Sequence, residues 1–226
     1  MSRWQRRLLI TDTNPRSPIS ETYRSLRSNI EFSSIDREIR TLMLTSAGPA
    51  KGKSTTTANL AVTYAQAGKR VLVIDADLRK PALHHTFGLT NRWGLTSVMV
   101  GQAPLEQAIQ DTNVENLWCL TAGPLPPNPS EMLASNKMTA LIENLKKEFD
   151  IILFDTPPVI AVTDAQIVAS KCDGVVLVID YGNVKKEIAL KAKQLLEMAH
   201  ANLLGVVINN KKHTKHKEYY YYYYYS

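Results

Sequence analysis

Residues 46–55 read Ser46-Ala47-Gly48-Pro49-Ala50-Lys51-Gly52-Lys53-Ser54-Thr55. Glycines, a lysine and a hydroxyl at this spacing fit a phosphate-binding loop, with Ala47 where the first glycine of the pattern stands. Backbone amides of such a loop face the phosphates of a nucleotide, and the helix that follows adds partial positive charge at its N-terminus. Lys53 reaches the outer phosphates and Ser54 offers its hydroxyl to Mg²⁺. The candidate nucleotide-binding set is Gly48, Pro49, Ala50, Lys51, Gly52, Lys53, Ser54 and Thr55.

Two further sites are acidic. Val71-Leu72-Val73-Ile74 runs into Asp75-Ala76-Asp77, and Ile151-Ile152-Leu153-Phe154 runs into Asp155-Thr156-Pro157-Pro158. A single carboxylate after an apolar run is often a turn residue; three at the rim that carries the phosphate loop point to chemistry. Mg²⁺ takes oxygen ligands and keeps several waters, so Asp155 and one of Asp75 and Asp77 suit it beside Ser54. The remaining carboxylate can take a proton from an incoming hydroxyl. Asp77 is the first choice for that base, with Asp75 close behind, so the candidate catalytic set is Lys53, Asp75, Asp77 and Asp155.

These residues need elements to hold them. Thr41–Ser46, Val71–Ile74, Ile151–Phe154, Val175–Ile179 and Leu203–Ile208 are short apolar runs rich in β-formers. Between them lie helical stretches at Lys53–Ala67, closed by Gly68, at Met138–Lys147 and at Lys185–His200. Ser17-Pro18 followed by Ile19, Tyr23, Leu26 and Ile30 predicts a capped amphipathic helix with proline in its first turn. Wholly apolar strands alternating with helices indicate an α/β fold, a doubly wound and mostly parallel sheet covered on both faces. In such sheets the ligand site lies beyond the carboxyl ends of the strands.

The 226 residues are 44% hydrophobic and 21% charged, enough for one full core and unlike a disordered chain. No run of 18 apolar residues is present to suggest a membrane-spanning helix, and Leu8-Leu9-Ile10 is too short for a signal-peptide core. Cys119 and Cys172 show neither disulfide nor zinc spacing, which suits a reducing cytosol. The net charge of +6 would by itself suggest nucleic acid. It sits at the ends, however. Three arginines in 1–7, and four lysines against Glu218 in 211–218, leave 20 basic and 20 acidic residues in the body. No nucleic-acid partner is expected. Residues 1–16 read as an N-terminal arm, 17–210 as the nucleotide-binding domain, and 211–226 as a basic linker with a terminal tract.

That tract is Tyr219, Tyr220, Tyr221, Tyr222, Tyr223, Tyr224 and Tyr225, seven of the ten tyrosines in the chain. Left exposed, such a run invites aggregation, and seven equivalent rings cannot all find specific pockets. A multi-site phosphate acceptor explains it better. Fifteen residues from Asn210 span roughly 50 Å when extended, enough to reach another subunit. Seven phosphates would add about −10 to −14 of charge, which is expected to loosen an assembly of subunits that phosphorylate one another.

Taken together, the phosphate loop, Asp75-x-Asp77-Leu78-Arg79-Lys80-Pro81, Asp155-Thr156-Pro157-Pro158 and the tyrosine tail resemble the bacterial tyrosine kinases of capsular and exopolysaccharide regulators. Ala122–Glu131 and Glu21-x-x-Arg24-x-x-Arg27 support the resemblance, which spans 17–226. It implies a P-loop NTPase fold related to the partitioning ATPases, with ATP and Mg²⁺ as cofactors. It also implies autophosphorylation of the tyrosine cluster between subunits and control of polysaccharide synthesis and export. Glu21, Arg24 and Arg27 would form an interface in a ring of copies; without the resemblance they read as a solvated helix face with a local ion pair. Asn209 falls where the superfamily reads adenine, although Asn210 is adjacent. Implied partners are the cytoplasmic segment of a transmembrane activator, a tyrosine phosphatase and further protein substrates. The implied location is cytoplasmic, at the inner face of the membrane through that activator. The alternative is a partitioning-type ATPase switch that binds partners without phosphorylating tyrosine, and Gly48 in place of that group's signature lysine speaks against it.

Overall fold

The structure, a computed structural model, describes residues 8–33 and 38–210. In chain order the elements are α1 (Ile10–Thr13), α2 (Pro18–Phe32), β1 (Thr41–Ser46), α3 (Lys53–Gln66), β2 (Val71–Asp75), α4 (Leu83–Phe87), α5 (Leu95–Met99) and α6 (Leu105–Ala108). There follow β3 (Ile109–Asp111), β4 (Leu117–Leu120), α7 (Pro129–Ala134), α8 (Asn136–Leu145), β5 (Ile151–Asp155), α9 (Asp164–Ala169), β6 (Gly174–Asp180), α10 (Lys186–Met198) and β7 (Leu203–Asn209). The strands form one sheet in the order β3-β4-β2-β5-β1-β6-β7. All pairings are parallel except β3 with β4.

Successive side chains of a strand point to opposite faces, so an apolar run feeds two cores at once. Met43, Leu72, Ile74, Ile152 and Phe154 pack on one face with Leu141, Leu145 and Leu196 of α8 and α10. Leu42, Leu44, Val71, Val73 and Leu153 pack on the other with Leu60 and Ala61 of α3. Helix α3 is buried from Thr56 to Ala65 because α1 and α2 cover its outer side. Helix α2 begins as expected, with the Ser17 side chain accepting from the Ser20 amide and Pro18 at the first position.

Two expectations change. Residues 8–14, assigned to an N-terminal arm, belong to the folded body: Leu9 is 2% exposed and Thr11 is fully buried. The Thr11 amide and hydroxyl both donate to Asn59 Oδ1 on α3, at 3.1 and 2.9 Å. The sheet also has two strands beyond the five expected. β4 is only four residues long and β3 three, at the edge, too short for periodicity to reveal. The tyrosines 219–225, the basic residues 1–7 and the basic linker 211–218 lie outside the described residues.

The order of strands decides the geometry of the site. β2, β5 and β1 are neighbours, and Asp75 is the registered partner of Asp155, which pairs in turn with Leu44. The two acidic strand ends and the strand leading to the phosphate loop therefore meet at one rim.

Candidate active site

The phosphate loop leaves β1 and ends at Gly52, which precedes α3. Ala50 and Gly52 are left-handed, with φ of 56° and 85°. Left-handed residues within a loop help curl successive amides into an anion-binding concavity. Gly52, at the N-cap of α3, has no side chain to bond the amides of the first turn, which leaves them open to an anion. Ala47 is 4% exposed and packs in the core, so a methyl is accommodated where the pattern has glycine. Beside Gly48 the nearest atom to an added Cβ would be Lys51 Cε, at 4.0 Å.

Lys53 extends from the first turn of α3 between two carboxylates. Its Nζ lies 3.2 Å from Asp77 Oδ2, 3.3 Å from Asp155 Oδ1 and 3.2 Å from Ser54 Oγ. Burial alone would lower its pKa, but the charges of Asp155, Asp77 and Asp75 outweigh burial and raise it. Lys53 is thus held as an ammonium.

The three aspartates are not equivalent. Asp75 is fully buried and accepts from the amides of Ala82 and Leu83 on one oxygen and Asp77 on the other, at 2.8, 2.9 and 3.2 Å. Burial and the neighbouring Asp155 push it up to about 7. Its oxygens organise the loop and do not face solvent. Asp77 is 5% exposed and also accepts from the Lys80 amide at 3.0 Å. Asp155 is fully buried and its pKa is raised, burial outweighing the pull of Lys53 and Ser54.

One oxygen of that carboxylate, Asp155 Oδ2, is buried with no hydrogen-bond partner among the described residues. One lysine faces three carboxylates there, an excess of negative charge that calls for a further cation. Among the described residues no cluster of three or more His, Cys, Asp or Glu side chains makes a cage for a metal. A site of few protein oxygens, completed by water and phosphate, suits Mg²⁺. Asp155 and Ser54 fit it, with Asp77 alongside.

Other expected residues take different positions. The Asn209 amide donates to the Lys51 carbonyl at 3.2 Å, packed behind the loop at Gly52. Glu21 and Arg24 form the local ion pair at 2.7 Å, but Arg27 turns inward and donates to the Thr63 carbonyl at 2.6 Å. The three therefore do not present a common outward face. Asp180 was not among the candidates. It ends β6 and lies 3.4 Å from Lys51, with Asn183 and Asn210 donating to it. The rule that singled out Asp75 and Asp155, a carboxylate after an apolar strand, applies equally to Val175–Ile179.

A family model described as AAA domain matches residues 47–200, from the phosphate loop to the end of α10. Tyrosine-protein kinase YwqD of Bacillus subtilis is 52% identical over 215 residues, 95% of this chain and 90% of that kinase. The crystal structure of the chimerical protein CapA2B2 superposes with a TM-score of 0.88 at 43% identity, covering 91% of this chain and 90% of that one. The septum site-determining protein MinD of Pyrococcus horikoshii, complexed with Mg-ADP, superposes with a TM-score of 0.66 at 28% identity, over 78% and 72% of the two chains. The fold is thus that of P-loop NTPases, and the greater likeness lies on the kinase side. The chain belongs to the bacterial tyrosine-protein kinases, enzymes that transfer a phosphoryl group to protein tyrosine.

Proposed function

We propose that the chain uses Mg²⁺ and ATP to phosphorylate its own C-terminal tyrosines, Tyr219–Tyr225, between copies, and so regulates capsular or exopolysaccharide synthesis and export. The observation that carries the site assignment is Lys53 held between Asp77 and Asp155 at the uncapped start of α3, beside the unpartnered Asp155 Oδ2. Loop amides from Gly48 onward, with Lys53, hold the phosphates. Asp155 and Ser54, with Asp77 alongside, would hold Mg²⁺, which when bound would supply positive charge to the phosphoryl oxygens. Lys53 needs no proton rearrangement to act, being already cationic.

Asp77 takes the role of base or orienting group for the acceptor phenol. It alone of the three carboxylates keeps some exposure, whereas both oxygens of Asp75 are occupied by backbone amides. A phenol with a pKa near 10 arrives protonated, so the carboxylate accepts its proton late in the transfer. Copies associate through α2, around the half-buried Glu21–Arg24 pair. Asn209 contributes to the nucleotide site from behind the loop. No described helix is long and apolar enough to cross a membrane. A separate transmembrane protein whose cytoplasmic segment activates the kinase would hold it at the inner face of the membrane, and a tyrosine phosphatase would reverse the modification.

Mass mapping of phosphate tests this on wild type, Lys53→Met and a form ending at Glu218, each with and without the activator segment. Phosphate on the tyrosine run in wild type, and none in Lys53→Met, is the expected result. Release of free phosphate with no phosphotyrosine would favour an ATPase switch instead.

A further inference from the structure

Ser130 lies in the Ala122–Glu131 stretch, and the chemistry above leaves it without a role. It sits on α7 and donates through Oγ to Asp164 Oδ1 at 2.7 Å. Arg79, two residues beyond Asp77, grips the same carboxylate with both arms of its fork: Nε lies 2.8 Å from Oδ2 and Nη2 3.0 Å from Oδ1. Arg79 Nη2 also donates to Ser130 Oγ at 3.2 Å. Asp164, the first residue of α9, is fully buried, while the Arg79 side chain is 41% exposed. Burial would raise the Asp164 pKa, but the hydrogen bonds from Arg79 and Ser130 outweigh it and hold the carboxylate below its usual range.

The position of this cluster gives it a consequence for the reaction. Asp77 belongs to the loop after β2; Asp155 ends β5, and the loop after it leads to α9 and Asp164. Lys53 joins those loops on the inside, between Asp77 and Asp155. Arg79 and Asp164 join the same loops on the outside. Asp75 anchors the β2 loop at its inner end through the amides of Asp77, Ala82 and Leu83. Asp77 is therefore suspended between an inner anchor and an outer one. A bidentate arginine–carboxylate pair sets direction as well as distance, and a buried carboxylate strongly favours keeping its partner.

We infer that Arg79, Asp164 and Ser130 form a positioning clamp that sets the separation of Asp77 from Asp155 and so the rate of phosphoryl transfer. The inference rests on the roles proposed above for those two aspartates. Among the described residues the hydrogen bonds of the three run to one another and not to the phosphate loop, so the rate is expected to respond far more than nucleotide affinity.

The test uses the full chain under conditions in which wild type forms phosphotyrosine, comparing Arg79→Lys, Ser130→Ala and Lys53→Met. Lysine keeps the charge of Arg79 but loses the fork. A displacement of about 1 Å at a reacting group can cost ~100-fold, so Arg79→Lys is expected to slow the saturating rate by about 10- to 100-fold. ATP affinity, from a fluorescent nucleotide titration, should stay within about threefold, the pattern of an interaction that matters in the transition state. Ser130→Ala removes a single hydrogen bond and is expected to slow the rate by about threefold, again at constant affinity. It decides the matter if Arg79→Lys does not fold. A wild-type rate in either folded variant, or a loss confined to ATP affinity, overturns the clamp. If Lys53→Met is inactive while Arg79→Lys is normal, only the clamp falls; an active Lys53→Met would remove the site assignment beneath it.

Discussion

Replacing Gly52 by alanine probes the junction of the phosphate loop with α3 and the placement of Asn209 behind it. The backbone at Gly52 has φ of +85°, a left-handed conformation that costs an L-residue roughly 1–2 kcal/mol. A Cβ built there would lie 2.0 Å from Asn209 Nδ2, so that side chain must swing away. In moving it gives up its hydrogen bond to the Lys51 carbonyl, at 3.2 Å in the structure, worth about 0.5–1.5 kcal/mol. Gly52→Ala should therefore destabilise the nucleotide-free protein by about 1.5–3.5 kcal/mol, the sum of the backbone and hydrogen-bond costs. In an Asn209→Ala background the collision and the hydrogen bond are already gone. There Gly52→Ala should cost only the backbone part, roughly 1–2 kcal/mol. The expected coupling is about 1 kcal/mol, beyond the ~0.3–0.5 kcal/mol within which independent sites add. Urea unfolding of the four proteins measures it. Additive behaviour would refute the contact between Asn209 and the loop, and a neutral Gly52→Ala would refute the left-handed junction.

Three further outcomes are expected. Lys53→Met should reduce phosphotyrosine formation by at least about 10³-fold while the chain still folds, since burial lets the neighbouring carboxylates take up protons; immunoblotting and circular dichroism measure the two effects. Asp155→Asn should weaken the Mg²⁺ dependence of nucleotide binding, raising the Mg²⁺ concentration needed by about 10-fold or more, because it removes a charged ligand; titrating Mg²⁺ at fixed nucleotide measures this. The third concerns protons. Asp75 is lifted from 3.8 to about 7, so in the folded protein it holds a proton through a range in which the unfolded chain has lost it. Its contribution makes stability fall as pH rises from about 4 to about 7 and level off above. Binding of MgATP near pH 6.5 brings a cation to the cluster and should release up to about one proton, and at pH 8 almost none. Calorimetry in two buffers of different ionisation heat measures the release; an equal proton count at both pH values would count against the coupled carboxylates.

The phosphate loop was legible because its chemistry is local: glycine, lysine and serine within ten residues, between an apolar strand and a helix. Asp75, Asp77 and Asp155 were legible through a topological rule, since residues at the carboxyl ends of parallel strands share one rim whatever lies between them in sequence. The alternatives among the carboxylates had no local signal. Asp75 and Asp77 are two residues apart and look alike in sequence, yet one is taken up by the amides of Asp77, Ala82 and Leu83 and the other by Lys53. The short edge strands β3 and β4 left too few residues for a period to emerge.

The amino-acid sequence by itself determined the α/β class, the phosphate loop and the rim on which its partners would gather, because these follow from side-chain periodicity and from backbone rules that act over a few residues. Only the tertiary structure decided the order β2-β5-β1, the clamp of Arg79 on Asp164, the inward turn of Arg27, and the packing of Leu9 and Thr11 against α3. Each joins groups tens of residues apart. Which of many possible partners a side chain meets is set by how whole layers pack, and by the free-energy cost of leaving a buried charge or amide unpaired.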